Sequence, residues 1–249
     1  MTILTALIIF LGTYDCVNCF HIPSGTVRVD TNFFIEAGEV SNGNYVEYLI
    51  WLKTIHGDTS QLLLKAVPRV QFLDSLAETL KTTPLEYATS ELFYKYPVLG
   101  VDHKQASAYC AWKSERVYNK MKGMICLHFE EMALPLSPEN LDKVYPFYRL
   151  PTPEEWDKAS THKRVSNRFQ NKIVQRPYYR FEFLEYADPS AGIESMFGSV
   201  SEMTSVPGLS KGGSYKEGKT PNTSTWDRHY SGPSDWVGFR CVCEWKMME

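Results

Sequence analysis

The sequence predicts an α+β domain that is rich in loops, with few helices and short antiparallel strands. Three stretches combine helical periodicity with an N-terminal capping signal, as short amphipathic helices do. Apolar and polar residues alternate near the N-terminus in the manner of strands, and the C-terminal part is rich in Gly, Ser and Pro. With 43% hydrophobic and 22% charged residues, the 249-residue chain can bury the core of one large domain.

The first predicted elements are a hairpin and a helix. The segment "FHIPSGTVRVDTNFFIEAGEV" alternates as two strands would, with the turn residues 23–25 placed between extended segments. A helix follows in "SNGNYVEYLIWLK", with Ser41 or Asn42 as its N-cap. Its inward face is predicted to carry Tyr45, Tyr48, Leu49 and Leu52.

Residues 56–96 have only weak helical periodicity, and they are predicted to form an insertion with little regular structure. A second helix follows in "DHKQASAYCAWKSERVYNKMKG", where Asp102 and Gln105 form a capping box and Gly123 ends the helix. The positions that recur at helical spacing are Ala106, Tyr109, Cys110, Lys113 and Val117.

The third helix has the clearest start signal in the chain. In "YRLPTPEEWDKAS", Thr152 is the N-cap, Pro153 occupies the first helical position and Glu155 completes a capping box. The helix is predicted to turn Trp156 and Ala159 inward.

The N-terminus and the overall charge predict an exported protein. The apolar run from Ile3 to Leu11 has the length of a signal-peptide core, so residues 1–20 are predicted as a signal or membrane-targeting segment and 21–249 as the domain. A buried first strand and a wrongly assigned start are the alternatives. Cys16 and Cys19 lack the small preceding residues of a lipidation site. A net charge of -3 without a long basic run argues against nucleic acid as a partner.

The six cysteines leave several chemistries open. Cys16 and Cys19 have the spacing of metal ligands but no second pair with that spacing, so a zinc site is only an alternative. An exported protein could pair some of its cysteines, and the sequence does not determine which. The six histidines show no close ligand spacing, which gives no support to a histidine iron site.

Four segments stand in a fixed order: "EVSNGNYVEYLIWL", "YPVLGVDHKQASAYCAWKSERV", "YRLPTPEEWDKAS", and "GGSY" followed by "GFRCV". Together they resemble the formylglycine-generating enzyme family, also called the sulfatase-modifying factor family, whose domain is a variant of the C-type lectin fold. The resemblance covers about residues 24–245. The long spacer before "YKYPVLGV" is most similar to the gliding-motility and type IX secretion lipoproteins of that family.

The resemblance assigns structural roles to most of the matching residues. Arg149 and Arg240 are expected to bridge backbone carbonyls of a loop-rich fold. Trp112 and Trp156 are expected to anchor the core. A Cβ at Gly212 or Gly213 would obstruct a tight start of a strand.

The resemblance also implies where an oxidase site would lie. Family enzymes bind copper(I) with two cysteines shortly after "GGSY", and the corresponding positions here are Glu217 and Asn222, neither of which supplies a thiolate. Cys241 and Cys243 would rebuild such a site only in a different geometry. Ser214 matches the serine beside the family's active site but lacks an evident base. No copper cofactor is therefore expected.

The calcium-associated "GNVWEW" stretch of the family is replaced here by "GSVSEM". Ser199 stands for the asparagine, Ser201 and Met203 stand for the tryptophans, and Glu202 is retained. Calcium needs several oxygen ligands, so Ser199 and Glu202 are only weak candidates for binding it.

The same comparison places a candidate binding groove around "GGSY" and "TSTWDRHY". Its residues are Ser214, Tyr215, Glu217, Asn222, Trp226, Asp227, Arg228 and His229. Such a mixture could bind a peptide or a glycan, and His229 could act as a general base. The alternative is a solvated loop held by one Asp–Arg pair.

These observations predict a non-catalytic member of the family that acts as a scaffold or binding module of the cell envelope, periplasmic or associated with the outer membrane. Its partners would be envelope proteins or a peptide or glycan ligand, with membrane anchoring through the N-terminus. One alternative is a copper-dependent oxidoreductase that converts a peptidyl cysteine to formylglycine. The other is a lectin-like protein that binds peptides or glycans.

Overall fold

A computed structural model describes residues 22–121, 144–165, 192–217 and 227–248. Six α-helices lie within these ranges: α1 (Asn42–His56), α2 (Gln61–Ala66), α3 (Asp74–Leu80), α4 (Pro84–Thr89), α5 (His103–Met121) and α6 (Pro153–Ser160). Eight strands accompany them: β1 (Thr26–Asp30), β2 (Phe33–Glu36), β3 (Val144–Arg149), β4 (Ser201–Met203), β5 (Leu209–Lys211), β6 (Arg228–His229), β7 (Val237–Gly238) and β8 (Val242–Met247). The predicted α+β fold class is confirmed. No helix in the described ranges is long and apolar enough to cross a membrane.

The first sheet joins the two ends of the chain. Its strand order is β1-β2-β8-β3, and each neighbouring pair is antiparallel. The predicted hairpin is confirmed as β1 and β2, but its turn lies at residues 31–32, whereas residues 23–25 form a turn before β1. The side chain of Asn32 fixes this turn because it bonds both the N–H and the C=O of Trp245, at 2.8 and 3.0 Å.

The second sheet is shorter and carries the candidate site. Its order is β6-β5-β4-β7, and its strands contain only two or three residues each. The β4 and β7 strands pair in parallel, whereas the other pairs are antiparallel as predicted. A buried hydroxyl pair between Ser201 and Ser210 at 3.0 Å links β4 to β5.

The three helices predicted from capping signals are confirmed as α1, α5 and α6. Ser41 caps α1, with its hydroxyl accepting from the N–H of Asn44. The other two starts have the predicted capping boxes, Asp102 with Gln105 and Thr152 with Glu155. The predicted end of the second helix at Gly123 lies outside the described residues.

The prediction that residues 56–96 lack regular structure is wrong. This segment folds into α2, α3, α4 and two short 3-10 helices at Val70–Phe72 and Glu91–Phe93. Each α-helix has only six or seven residues, which is too few for a periodic pattern to stand out. Two of the three starts are set by local capping, by Ser60 in α2 and by a Thr83–Glu86 capping box in α4, whereas α3 has no side-chain cap. The segment buries Leu73, Leu76 and Tyr87.

Of the two predicted tryptophan anchors, only Trp156 is fully confirmed. Trp156 is completely buried against the N-terminal hairpin and the segment that follows residue 192. Trp112 is only half-buried. Its ring packs against those of Tyr48 and Tyr109, with ring centroids 5.2 and 5.3 Å apart. The tight glycine turn lies at the end of β5 rather than at a strand start. Gly212 has φ +94°, and a Cβ there would lie 2.7 Å from the carbonyl oxygen of Met196.

Candidate functional site

Arg240 lies at the centre of the described structure with no exposed surface. Its guanidinium donates to both carboxylate oxygens of Glu202, at 2.5 to 2.8 Å. The remaining N–H groups reach backbone oxygens of Glu36, Ala37 and Glu194. The predicted role of Arg240 as a bridge between carbonyls is confirmed, and a buried ion pair adds to it.

Arg149 differs from that prediction because it binds mainly carboxylates. Its guanidinium forms a bidentate pair with Glu155, at 2.6 and 2.7 Å, and a third bond to Glu244 at 2.9 Å. Among the described residues, Leu150 alone offers it a backbone carbonyl. Arg149 therefore ties α6 to β3 and β8 at the half-exposed edge of the fold.

Glu202, in the stretch "GSVSEM", is held in place by contacts with other side chains. One oxygen of Glu202 also accepts from the indole N–H of Trp156 at 2.7 Å, in addition to the bonds from Arg240. Ser199 adopts φ +53° in the turn before β4. Calcium requires several free oxygen ligands. Both oxygens of Glu202 already accept hydrogen bonds, so Ser199 and Glu202 do not provide a suitable calcium site.

A second buried carboxyl group, that of Glu39, lies near the ion pair of Glu202 and Arg240 and was not predicted from the sequence. Glu39 is 5% exposed, and neither of its oxygens has a hydrogen-bond partner of normal geometry in the described part of the chain, although the hydroxyl of Ser199 interacts with it weakly. Burial raises the pKa of Glu39 to about 8, and the neighbouring charge of Glu202 adds to the shift, while Arg240 and Ser199 oppose it. The buried site therefore favours the neutral, protonated form of Glu39.

The "GGSY" segment leaves β5 and enters the short 3-10 helix Tyr215–Glu217. Ser214 is buried in this turn. The hydroxyl of Tyr215 donates to Asp235 at 3.2 Å, and the amine of Lys216 donates to the other oxygen of Asp235 at 2.5 Å. Burial, and then the charge of Asp235, raise the pKa of Tyr215. Asp235 was not predicted, since only the fold brings it to this segment.

The buried side chain of Lys211 connects Asp227, a residue of the predicted groove, to α6. The amine of Lys211 contacts Asp157 of α6 at 2.9 Å and Asp227 at 2.8 Å. Burial lowers the pKa of Lys211, but the two carboxylates outweigh this effect and the net shift is upward. Asp227 is thus held by a lysine, and not by an arginine as the loop alternative expected.

The two residues after Asp227 form β6. Arg228 stacks its guanidinium over the ring of Trp236, 4.5 Å from the centroid, whereas His229 is exposed. Glu217 ends the 3-10 helix of the "GGSY" segment, and Asn222 and Trp226 lie outside the described residues. The structure thus places Lys211 on β5 and Arg228 on the adjacent β6, with Asp227 directly before β6. Trp236, a residue without a local sequence signal, completes the stack.

The described thiols lie away from this surface. The sulfurs of Cys110 and Cys241 are 3.2 Å apart in the core, and Cys243 is buried two residues further along the chain. The remaining cysteines fall outside the described residues. Across the described ranges, no three His, Cys, Asp or Glu side chains are grouped as metal ligands would be.

Solved structures provide distant likenesses over most of the chain. Variable protein 1 of Treponema denticola is 16% identical, with 85% of this chain and 84% of that chain covered and a TM-score of 0.41. CarF is 17% identical, with 85% and 86% covered and a TM-score of 0.40. No curated protein matches the sequence. The family model of the sulfatase-modifying factor enzyme 1-like domain matches residues 7–245, and the chain therefore belongs to this family.

Proposed function

We propose that the chain is a non-catalytic member of its family that acts as a scaffold or binding module in the cell envelope. The observation that carries the proposal is the identity of two residues, Glu217 and Asn222, at the positions where family enzymes carry their copper-binding cysteines. Copper(I) selects soft thiolate ligands, and neither a carboxylate nor an amide replaces them well. The apolar run from Ile3 to Leu11 supports export to the envelope.

The contacts around "GGSY" support a structural use of this segment. Asp235 is occupied by Tyr215 and Lys216, and Lys211 is occupied by two aspartates. Charged groups that satisfy one another in this way hold loops in place.

The segment from the second half of α1 to residue 94 supports an interaction role. Most of the large apolar side chains that are exposed in the described structure lie between residues 50 and 94. They include Ile50, Ile55, Leu62, Leu64, Phe72, Leu85 and Leu92. Concentrations of exposed apolar residues are typical of surfaces that contact other proteins, which favours a scaffold with envelope protein partners.

A copper(I) competition titration tests the proposal. The full chain carrying Cys16→Ser and Cys19→Ser should bind copper(I) no more tightly than the competing chelator, and it should not consume a cysteine-containing sulfatase peptide under oxygen. Adding Glu217→Cys and Asn222→Cys to that chain provides the matched control, which should gain copper(I) affinity. Tight one-to-one binding by the chain without these two added cysteines, with turnover of the peptide, would establish the oxidoreductase alternative.

A peptide- or glycan-binding role is favoured by the stack of Arg228 on Trp236 beside the exposed His229. If this surface binds a ligand, Arg228→Ala should weaken binding to immobilised peptides or glycans at least about fivefold, because a ligand contact with a desolvated guanidinium is worth about 1 kcal/mol or more. The melting temperature should fall by only about 2–4 °C. His229→Ala is the matched exposed control. Unfolding of the Arg228→Ala protein would instead show that the stack is structural.

A further inference from the structure

The exposed apolar surface between residues 53 and 94 divides into two parts of opposite charge. Residues 53–72 carry three basic side chains and one acidic side chain, and we call this stretch the basic segment. Residues 73–94 carry four acidic side chains and one basic side chain, and we call this stretch the acidic segment. Since the whole chain has a net charge of -3, the basic segment concentrates positive charge on an acidic protein.

The basic segment exposes large apolar side chains together with this charge. Five of them are between 44% and 59% exposed, namely Ile55, Leu62, Leu64, Val67 and Phe72. The one acidic residue, Asp58, pairs with Lys53 at 3.2 Å. The side chains of Lys65 and Arg69 are exposed and form no ion pair with a described residue. Apolar groups and unneutralised positive charges therefore lie close together in the sequence and at the surface.

Hydrogen bonds from buried side chains hold the backbone of the basic segment in place. The amide of Gln105 donates to the carbonyls of Lys65 and Val67, at 2.9 Å each. The hydroxyl of Tyr45 donates to the carbonyl between them, that of Ala66, at 2.8 Å. Three consecutive carbonyls are thus bound by the domain. The exposed side chains are carried by an ordered backbone, so binding a partner there requires little further loss of backbone entropy.

We propose that the basic segment is a membrane-docking surface that binds an anionic bilayer. Its apolar side chains would enter the boundary between headgroups and acyl chains, and Lys65 and Arg69 would contact the anionic headgroups. Apolar side chains flanked by cations are typical of surfaces that lie in the interface of a bilayer. Long basic side chains bury their apolar stems there and keep the charge at headgroup level. The inference deepens the proposed envelope role and rests on it for the location of the protein.

The composition of the basic segment favours lipid over protein as its occupant. Protein interfaces are enriched in Tyr and Trp and depleted in Lys, and Leu and Val are rare among the residues that dominate binding energy. The basic segment contains neither Tyr nor Trp, and its exposed apolar residues are mostly aliphatic. The acidic segment also exposes apolar residues, including Leu85, Leu92 and Tyr94, but anionic lipid would repel its charge. The acidic segment therefore remains a surface for protein partners.

Vesicle flotation with the full chain tests the docking surface. The protein should bind vesicles of phosphatidylcholine mixed with phosphatidylglycerol more tightly than vesicles of phosphatidylcholine alone. Leu62→Ser combined with Leu64→Ser should weaken binding to the mixed vesicles at least about tenfold, because two apolar side chains no longer leave water. Lys65→Gln combined with Arg69→Gln should also weaken it at least about tenfold, but should hardly change binding to phosphatidylcholine alone. High salt should have the same selective effect.

The acidic segment provides the matched control. Leu85→Ser combined with Leu92→Ser removes two leucines that are also exposed, and it should leave binding to the mixed vesicles unchanged. Every variant keeps the apolar run from Ile3 to Leu11, so any membrane affinity of that run is the same throughout the comparison. The melting temperatures of all variants should stay close to that of the native sequence, because the substituted side chains are exposed.

Two results would overturn the proposal. One is equal affinity of the native sequence and the Leu62 and Leu64 variant for mixed vesicles, which would leave a protein as the occupant of the basic segment. The other is an equal loss of affinity in the Leu85 and Leu92 control, which would show adsorption through any exposed apolar residue. The copper(I) titration tests the non-catalytic role separately. A chain that oxidises the peptide and still docks through the basic segment would overturn that role and leave this inference standing.

Discussion

Replacing Arg240 with Met should destabilise the domain by about 3–5 kcal/mol, because the change leaves the carboxylate of Glu202 buried and unpaired. The guanidinium is completely buried, and the carbonyls of Glu36 and Glu194 would lose their donors as well. Burial lowers the pKa of Arg240, but the Glu202 charge outweighs this effect and the net shift is upward. The free energy of unfolding from denaturant titration is the quantity to measure.

Arg149→Met is the matched control for this prediction. Arg149 also binds two carboxylates, but about a quarter of its side chain is exposed, so water can replace the lost contacts. Its loss should cost about 1 kcal/mol. Adding Glu202→Gln to Arg240→Met should recover part of the stability, since it removes the unpaired charge. Equal losses for the two arginine variants would show that the buried pair has no special importance.

The second large effect is a dependence of stability on pH that comes from Glu39. Its pKa is about 8 in the folded protein and 4.5 as a free side chain. Between these values the folded state binds one proton more than the unfolded state at this site, so the contribution of Glu39 to stability is fully present below pH 4.5 and is lost as the pH rises through about 8. The slope from this one group is about 1.4 kcal/mol per pH unit.

Glu39→Gln should remove this slope, because an amide keeps the shape and carries no charge. The difference in unfolding free energy between the variant and the native sequence should grow from pH 5 to pH 8 and level off above it. The groups that face Glu39 are Glu202, Arg240, Ser199 and Tyr87. Glu47→Gln on the exposed face of α1 is the control and should leave the slope unchanged. A constant difference across this range would show that Glu39 is ionised at neutral pH.

The sequence predicted those elements whose determinants are local. Ser41, Asp102 and Thr152 start helices through contacts three residues away, so their signals are contained within a few letters. The hairpin was also predictable, because strand alternation is a local property. Its turn was misplaced because Asn32 is held by Trp245, a residue more than two hundred positions away.

Less of the candidate site could be predicted from the sequence. The residues that complete it are Asp157, which binds Lys211, Asp235, which binds Tyr215, and Trp236, which carries Arg228. None of these pairings follows a spacing rule, because strand pairing and helix placement create them. The missed helices between residues 56 and 96 have a different cause, since each is too short for periodicity to distinguish it from a loop.

The position of β8 between β2 and β3 has a consequence for the synthesis of the chain. Because β8 follows both of its partners in the sequence, β2 and β3 leave the ribosome first and keep an open edge until β8 has been synthesised. Sheets closed by such distant partners form slowly, and open edges invite pairing with other chains. The first sheet therefore cannot be completed before residues 242–247 have been synthesised, and until then β2 and β3 each need protection from pairing with other chains.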